Sequence, residues 1–353
     1  MRTGLTALDL DLACPGYVLF NTEAAGDAIK LMNLNGKIVH RWHVPYPPHY
    51  GYLLPNGNLF AMVKARGTTE PIFPRWSVFQ DGMMLELDWQ GSIVWEHRDP
   101  FQHHDARRTE GGGAIYLTVE RIPDELAARV QGGAPNRQAG PMWADVIVEV
   151  DAQGRRIWEW HAAEHLDPER DIIHVGSAGH EWSHGNTVVP LSNERVLASF
   201  RNISVVTIID KRTGDMVWRL GDEVLAQQHD ANLLPNGNIL IFDNGPIRRY
   251  LGSSFSRVIE VDPTSNSIVW EYQDANPLNF FSPNISGARR LPNGNTLITE
   301  GRFGRMFQVT PDKQVVWEYV NPEFVADGLG GESNAIFRAT HYTAGEIPAL
   351  AGM

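Results

Sequence analysis

The chain has 353 residues, a formal net charge of −12 and a single cysteine, Cys14. No cluster of Lys and Arg opposes that charge, which excludes nucleic acid as the main partner, because phosphate binding needs a basic surface. One cysteine excludes an internal disulfide, and no apolar run reaches the roughly 18 residues that would predict a membrane helix. Met1–Cys14 carries Asp9 and Asp11 and lacks the basic-then-apolar order of a secretory signal, so the expected location is cytoplasmic, or periplasmic were a leader removed.

In chain order, the first predicted strand is Gly16–Asn21. Lys30–Arg41 (KLMNLNGKIVHR) then reads as strand, Asn-Gly turn and second strand, ending on His40. The phrase recurs at Leu85–Glu96, Val148–Glu159, Thr207–Arg219, Ile259–Glu271 and Phe307–Glu318, each with Trp where the first copy has His40. The marker positions 40, 95, 158, 218, 270 and 317 give spacings of 55, 63, 60, 52 and 47 residues. A second phrase, Leu-Pro-Asn-Gly-Asn, punctuates Leu54–Asn58, Leu234–Asn238 and Leu291–Asn295. Glu110–Gly113 and the degenerate Pro190–Asn193 stand in corresponding places. Asn-Gly turns permit the positive φ that tight hairpins need.

Repeats of this period, alternating apolar residues and regular turns predict an all-β fold, a six-bladed β-propeller forming a single domain over 1–353. Helical periodicity is confined to segments such as Asp124–Val130. The repeated Trp is expected to pack between neighbouring blades. The strand at about 16–21 is expected to close the ring by completing the last sheet, with the tail Phe337–Met353 lying over that seam. Two insertions exceed what the repeat needs, Glu120–Trp143 and His161–Glu181, and long loops on a rigid scaffold are where specificity resides.

Histidines recur with the turns. His49, His184 and His229 each stand six residues before a turn proline, and His104 lies as far beyond Trp95 as His49 lies beyond His40. Ser286 and Ser333 take the remaining two positions by their offsets from Trp270 and Trp317. The innermost strand of each blade lines the central channel, so equivalent positions converge on one small volume. Four converging imidazoles can bind a metal, move protons near neutral pH or act as nucleophiles. A plainer reading makes them turn caps or ligands of structural water. Asp105 and Asp230 follow His104 and His229 directly, where a carboxylate either orients an imidazole or forms a turn. His103 and His180 flank the ring. Trp182, Phe280 and Phe281 are candidate flat walls for an aromatic substrate.

The stretch His180–Gly221, with Trp182, His184, Asn186, Ser199 and Arg201, resembles the signature of the arylsulfate sulfotransferases, propeller enzymes that use no phosphoadenosine donor. Gln228–Asp230 and Phe242–Gly245 resemble that family's next blade, and Ala335–Tyr342 its closing segment. The resemblance extends from about Ile29 to Tyr342. It implies transfer of a sulfuryl group between small phenolic compounds through a sulfohistidine, without a cofactor. By motif His229 is the nucleophile, His184 and Asn186 hold the sulfuryl group or handle protons, and Arg201 is the stabilising cation. His104 is the further histidine by blade position. His49, Trp182 and Asn244 are expected to contact substrate.

Two other functions fit the residues. One is a metal-dependent lyase or isomerase acting on an aromatic or sugar-acid substrate, with a divalent ion held by His49, His104, His184 and His229. The other is a non-catalytic propeller that binds a protein through its top face.

Overall fold

The large ring near the end of each first phrase is turned toward the next blade at a local slip in the strand ladder. In the computed structural model, which describes residues 2–23, 26–65, 70–74, 76–134, 140–248, 254–326 and 331–350, the third and fourth strands of every blade pair with one extra residue. Glu86 faces Trp95 and Leu87 faces Ile93, leaving Val94 unpaired; Ile157, Val217, Val269, Val316 and Val39 are skipped likewise. Such a bulge increases local twist and re-aims the neighbouring side chain. The indole N–H of each Trp then donates to the turn of the following blade. Trp95 reaches the Ala152 carbonyl (3.1 Å), Trp158 that of Lys211 (2.9 Å), Trp218 the Asn266 side-chain oxygen (2.8 Å) and Trp270 the Pro311 carbonyl (2.9 Å). Trp317 reaches Leu34 (2.8 Å), joining the last blade to the first, and His40 Nε2 stands 2.9 Å from the Trp89 carbonyl in the same role.

The described residues form six antiparallel sheets in a ring, one domain built as a six-bladed β-propeller. From the axis outward, the second blade is Pro48–Leu53, Leu59–Lys64, Gly82–Leu87 and Ile93–Arg98. The third begins at His103–Arg108, the fourth at Gly185–Pro190, the fifth at His229–Leu233 and the sixth at Gly287–Arg290. Apolar clusters seal neighbouring blades; Leu197 and Val206 of the fourth meet Ile239, Ile241 and Ile259 of the fifth. At the three Pro-Asn-Gly turns the glycines have φ of 85°, 88° and 90°. Thr109–Gly113 keeps the same backbone bonds with Gly112 at 76°, so Glu110–Gly113 preserves the turn despite its different wording.

The seam differs from the expected one. Tyr17–Phe20 is the second strand of the first blade, beside Ala28–Asn33, and the innermost strand there is Thr340–Tyr342 from the other end of the chain. The C-terminal segment is thus part of the sheet and does not merely lie over it. Gly4–Leu8 adds a fifth, outermost strand to the sixth blade and covers Val316, which is 1% exposed, whereas the equivalent Val94 and Ile157 are 54% and 60% exposed. Helices are short, among them Trp76–Phe79, Asp124–Ala127 and Ala162–His165, and none of the described helices is long and apolar enough to cross a membrane.

Candidate functional site

A second set of bulges sits on the axis. The inner strand slips against its neighbour at His49, between His103 and Ala106, at Asn186 and between His229 and Asn232. The inner ladders of the first and sixth blades, which carry no ring histidine, run without a slip over their described pairs. His104 and His184 take φ of 54° and 53°, a left-handed conformation that side chains with a Cβ rarely adopt. The distortion aims the imidazoles into one cavity of about 320 Å³ at the mouth of the channel, lined by His49, His104, His184, His229 and Arg201.

Three of the four imidazoles are hydrogen-bonded to a polar partner, whereas neither ring nitrogen of His49 makes a hydrogen bond among the described residues. His229 Nδ1 lies 2.7 Å from Asn244 Oδ1, and Asn244 spends its amide N–H groups on the carbonyls of Ser282 and Ile285. The Asn244 oxygen therefore accepts, His229 carries its proton on Nδ1, and Nε2 is left unprotonated, its lone pair accepting the Ile285 N–H at 3.2 Å. His184 Nδ1 is 3.0 Å from both oxygens of Glu181. His104 Nδ1 meets His103 Nδ1 at 2.8 Å, and His49 Nδ1 stands 3.5 Å from Asp81.

Burial sets the charge of the cavity. It pushes His229, His104 and His49 well below the usual imidazole range, aided by Arg201 beside His229, by neighbouring imidazoles around His104 and by Lys64 near His49. His184 falls to about 3 through burial and Arg201. Burial raises Glu181 and Asp81 to about 8, so both are protonated at neutral pH. Arg201 drops to about 10 through burial, which leaves it charged. Among the described residues its guanidinium donates to two neutral groups, Asn202 Oδ1 at 3.2 Å and Gln227 Oε1 at 3.3 Å. A partly buried cation whose bonding partners are neutral, beside neutral imidazoles, is a site for an anion.

The expected residues are not all in the cavity. Asn186 is buried below it, donating to the Gln228 carbonyl at 2.7 Å. Trp182 is core, with its indole N–H on the Asp171 carbonyl. Asn244 acts behind His229. Phe280 packs in the core between the fifth and sixth blades, and the aromatic walls are instead Phe79 and Phe337. Phe79 lies 4.9 Å from the His104 ring and 5.0 Å from that of His184, and Phe337 lies 4.0 Å from His49. Ser333 falls in a short outlying hairpin, because the sixth ring position belongs to the strand from the C-terminal end, which brings in Phe337. Of the insertions, 161–181 supplies Gly176–Gly179 and Glu181 to the wall; residues 135–139 of the other lie outside the described residues.

Asp105 and Asp230 do not orient the histidines. They bind a fully buried arginine on the axis, Arg338, at 3.4 and 3.1 Å, and also Arg107 and Arg289. This charged plug, with Tyr50 stacked on Arg338, floors the cavity. Nor do the four histidines form a metal site. Among the described residues no group of three or more His, Cys, Asp or Glu is arranged to hold an ion. His49 stands edge-on to His104, with ring centres 5.9 Å apart, and packs against Phe337. The described residues, as arranged, therefore do not fit the alternative of a divalent ion held by His49, His104, His184 and His229.

Fold and site together define a six-bladed propeller with an anion-receptive, histidine-lined axial cavity. The chain carries an arylsulfotransferase (ASST) family match over residues 101–226, a stretch that includes His104, Glu181, His184 and Arg201 and ends three residues before His229. The quinohemoprotein alcohol dehydrogenase ADH IIB of Pseudomonas putida is 26% identical over 189 residues, half of this chain but only 24% of that protein; the chain thus spans about a quarter of that relative's length. A protein of unknown function from Bacteroides caccae has a similar fold (TM-score 0.56, 12% identity, covering 93% of this chain and 99% of that one). Hydrazine synthase of Kuenenia stuttgartiensis is also similar in fold (TM-score 0.50, 13% identity, 87% and 79% coverage).

Proposed function

We propose that the protein transfers a sulfuryl group from an aryl sulfate to a phenol, with His229 Nε2 as the nucleophile. The observation that carries this reading is the fixed tautomer of His229 beside an uncompensated cation: Asn244 holds the proton on Nδ1, and Arg201 lines the same cavity. His229 attacks sulfur, the N–S bond forms as the S–O bond breaks, and the aryl oxygen leaves with the electron pair of that bond. Charge on the three peripheral oxygens is met by Arg201 and by the His184 Nε2–H. The Ile285 N–H, which bonds Nε2 in the free enzyme, is placed to turn to a sulfuryl oxygen. Phe79 and Phe337 provide flat contacts for the aromatic ring. Brief exposure to an aryl sulfate without acceptor should add one sulfuryl group to the intact mass, mapped to the peptide containing His229. Addition elsewhere, or none, would refute the reading.

The tautomer of His184 makes the reaction pH-dependent. Protonated Glu181 donates to His184 Nδ1, which puts the imidazole proton on Nε2, facing the substrate. Above about pH 8 the carboxylate forms, accepts from Nδ1 and removes that donor. Activity should therefore fall as pH rises through about 8. In Glu181→Gln, whose amide donates at every pH, the alkaline limb should move upward, as read from kcat/KM profiles.

A further inference from the structure

Behind the cavity wall lies a polar chain that the reaction above does not use. His103, adjacent to a ring histidine but fully buried and outside the cavity, places Nδ1 2.8 Å from His104 Nδ1 and Nε2 3.2 Å from Asp145. Only one of two facing Nδ1 atoms can carry the proton between them, so the protonation of the two rings is linked. Asp145 is clamped by the Ser183 hydroxyl and by the Gly185 N–H at 2.8 Å, the residues flanking His184. A Cβ at Gly185 would stand 2.7 Å from that carboxylate, which is why glycine follows His184 here. The Ser-His-Gly run thus serves Asp145 as much as it presents His184.

We propose that His103 and Asp145 form a proton reservoir for His104, which is the general acid and base of the transfer; this rests on the sulfuryl-transfer reading. As the acceptor attacks, its O–H bond breaks and the proton passes to His104 Nε2, while the His104 Nδ1 proton moves to His103 Nδ1. The phenolic oxygen bonds to sulfur, the S–N bond breaks, and its electron pair returns to His229. In the donor half the sequence reverses: His229 bonds to sulfur, the S–O bond breaks, the leaving oxygen takes the proton from His104 Nε2, and His103 returns its proton to His104 Nδ1. Positive charge then rests on His103 against Asp145 and not in the cavity. The direction of the titrations agrees. Burial and its imidazole neighbours hold His104 down, while Asp145, although burial opposes it, is kept ionised by His103, Ser183 and Gly185. His103 is a positioning residue, since it does not reach the substrate.

Two measurements on the full chain test this. In protein labelled with ¹⁵N-histidine, a nitrogen–nitrogen coupling across the His103–His104 hydrogen bond should be seen and should vanish in His103→Gln. Its absence in the unaltered protein would overturn the proposal without any variant. The second uses leaving-group dependence, because a poor leaving group needs the acid most. His103→Gln should slow transfer from phenyl sulfate about 10- to 100-fold more than from 4-nitrophenyl sulfate, within the range of general acid–base effects. Equal losses on both donors would mean a purely structural role and would overturn it, and Asp145→Asn checks the result at the other end of the chain. Failure of the unaltered protein to form a sulfohistidine with either donor refutes the sulfuryl-transfer reading instead, and the coupling measurement still stands apart from it.

Discussion

His229→Ala is expected to abolish transfer from an aryl sulfate to a phenol, lowering kcat by about 10⁴-fold or more, and to eliminate the covalent mass gain. The expected loss is large because in the proposed reaction His229 is part of every turnover, and among the described residues no other imidazole shares its position. His184 faces Glu181 and His104 faces His103, so neither has the Asn244 partner that keeps Nε2 of His229 unprotonated. Asn244→Ala should reproduce part of the defect while leaving the imidazole in place, since the tautomer would no longer be set. A fully active His229→Ala protein would remove His229 from the mechanism.

Arg201→Ala should cost about 10²–10³ in kcat, as removal of one preorganised charge donor does elsewhere, and should raise KM for the sulfate donor. Among the described residues its bonding partners are the neutral Asn202 and Gln227, and the carboxyl group that feels its charge, Glu181, is itself held protonated at neutral pH. The variant should therefore fold with a melting temperature close to that of the parent, which separates a catalytic loss from a structural one. Arg201→Lys should recover only part, because an ammonium lacks the planar fork that spans two sulfuryl oxygens. An unchanged kcat in Arg201→Ala would exclude a role in charge stabilisation.

Much of this architecture was legible in the chain. The Trp phrase counted the blades, because each copy must make the same bulge and the same bond to the next turn. The histidine offsets found the cavity, because equal offsets within a repeat lead to equal radius and height around the axis. The reading failed where side chains act across blades. Trp182 looked like a substrate wall from its place in the motif, yet its indole faces the Asp171 carbonyl in the core. Asp105 and Asp230 looked like partners of the adjacent histidines, but neighbouring strand residues point to opposite faces, and theirs meet arginines. His103, one residue from a ring position, was visible as a flanking histidine, but no spacing linked it to Asp145.

By itself the sequence determined the number of blades, the phrases that join them and the four imidazoles at equivalent heights, since these follow from local periodicity repeated around a ring. The tertiary structure decided what His229, His184 and His104 are bonded to, and hence how their protons are held. Those partners, Asn244, Glu181 and the His103–Asp145 pair, sit at no common offset. Closure of the ring decided the rest: only when the C-terminal strand enters the first blade do Phe337 and Arg338 arrive on the axis, as one wall and the floor of the cavity.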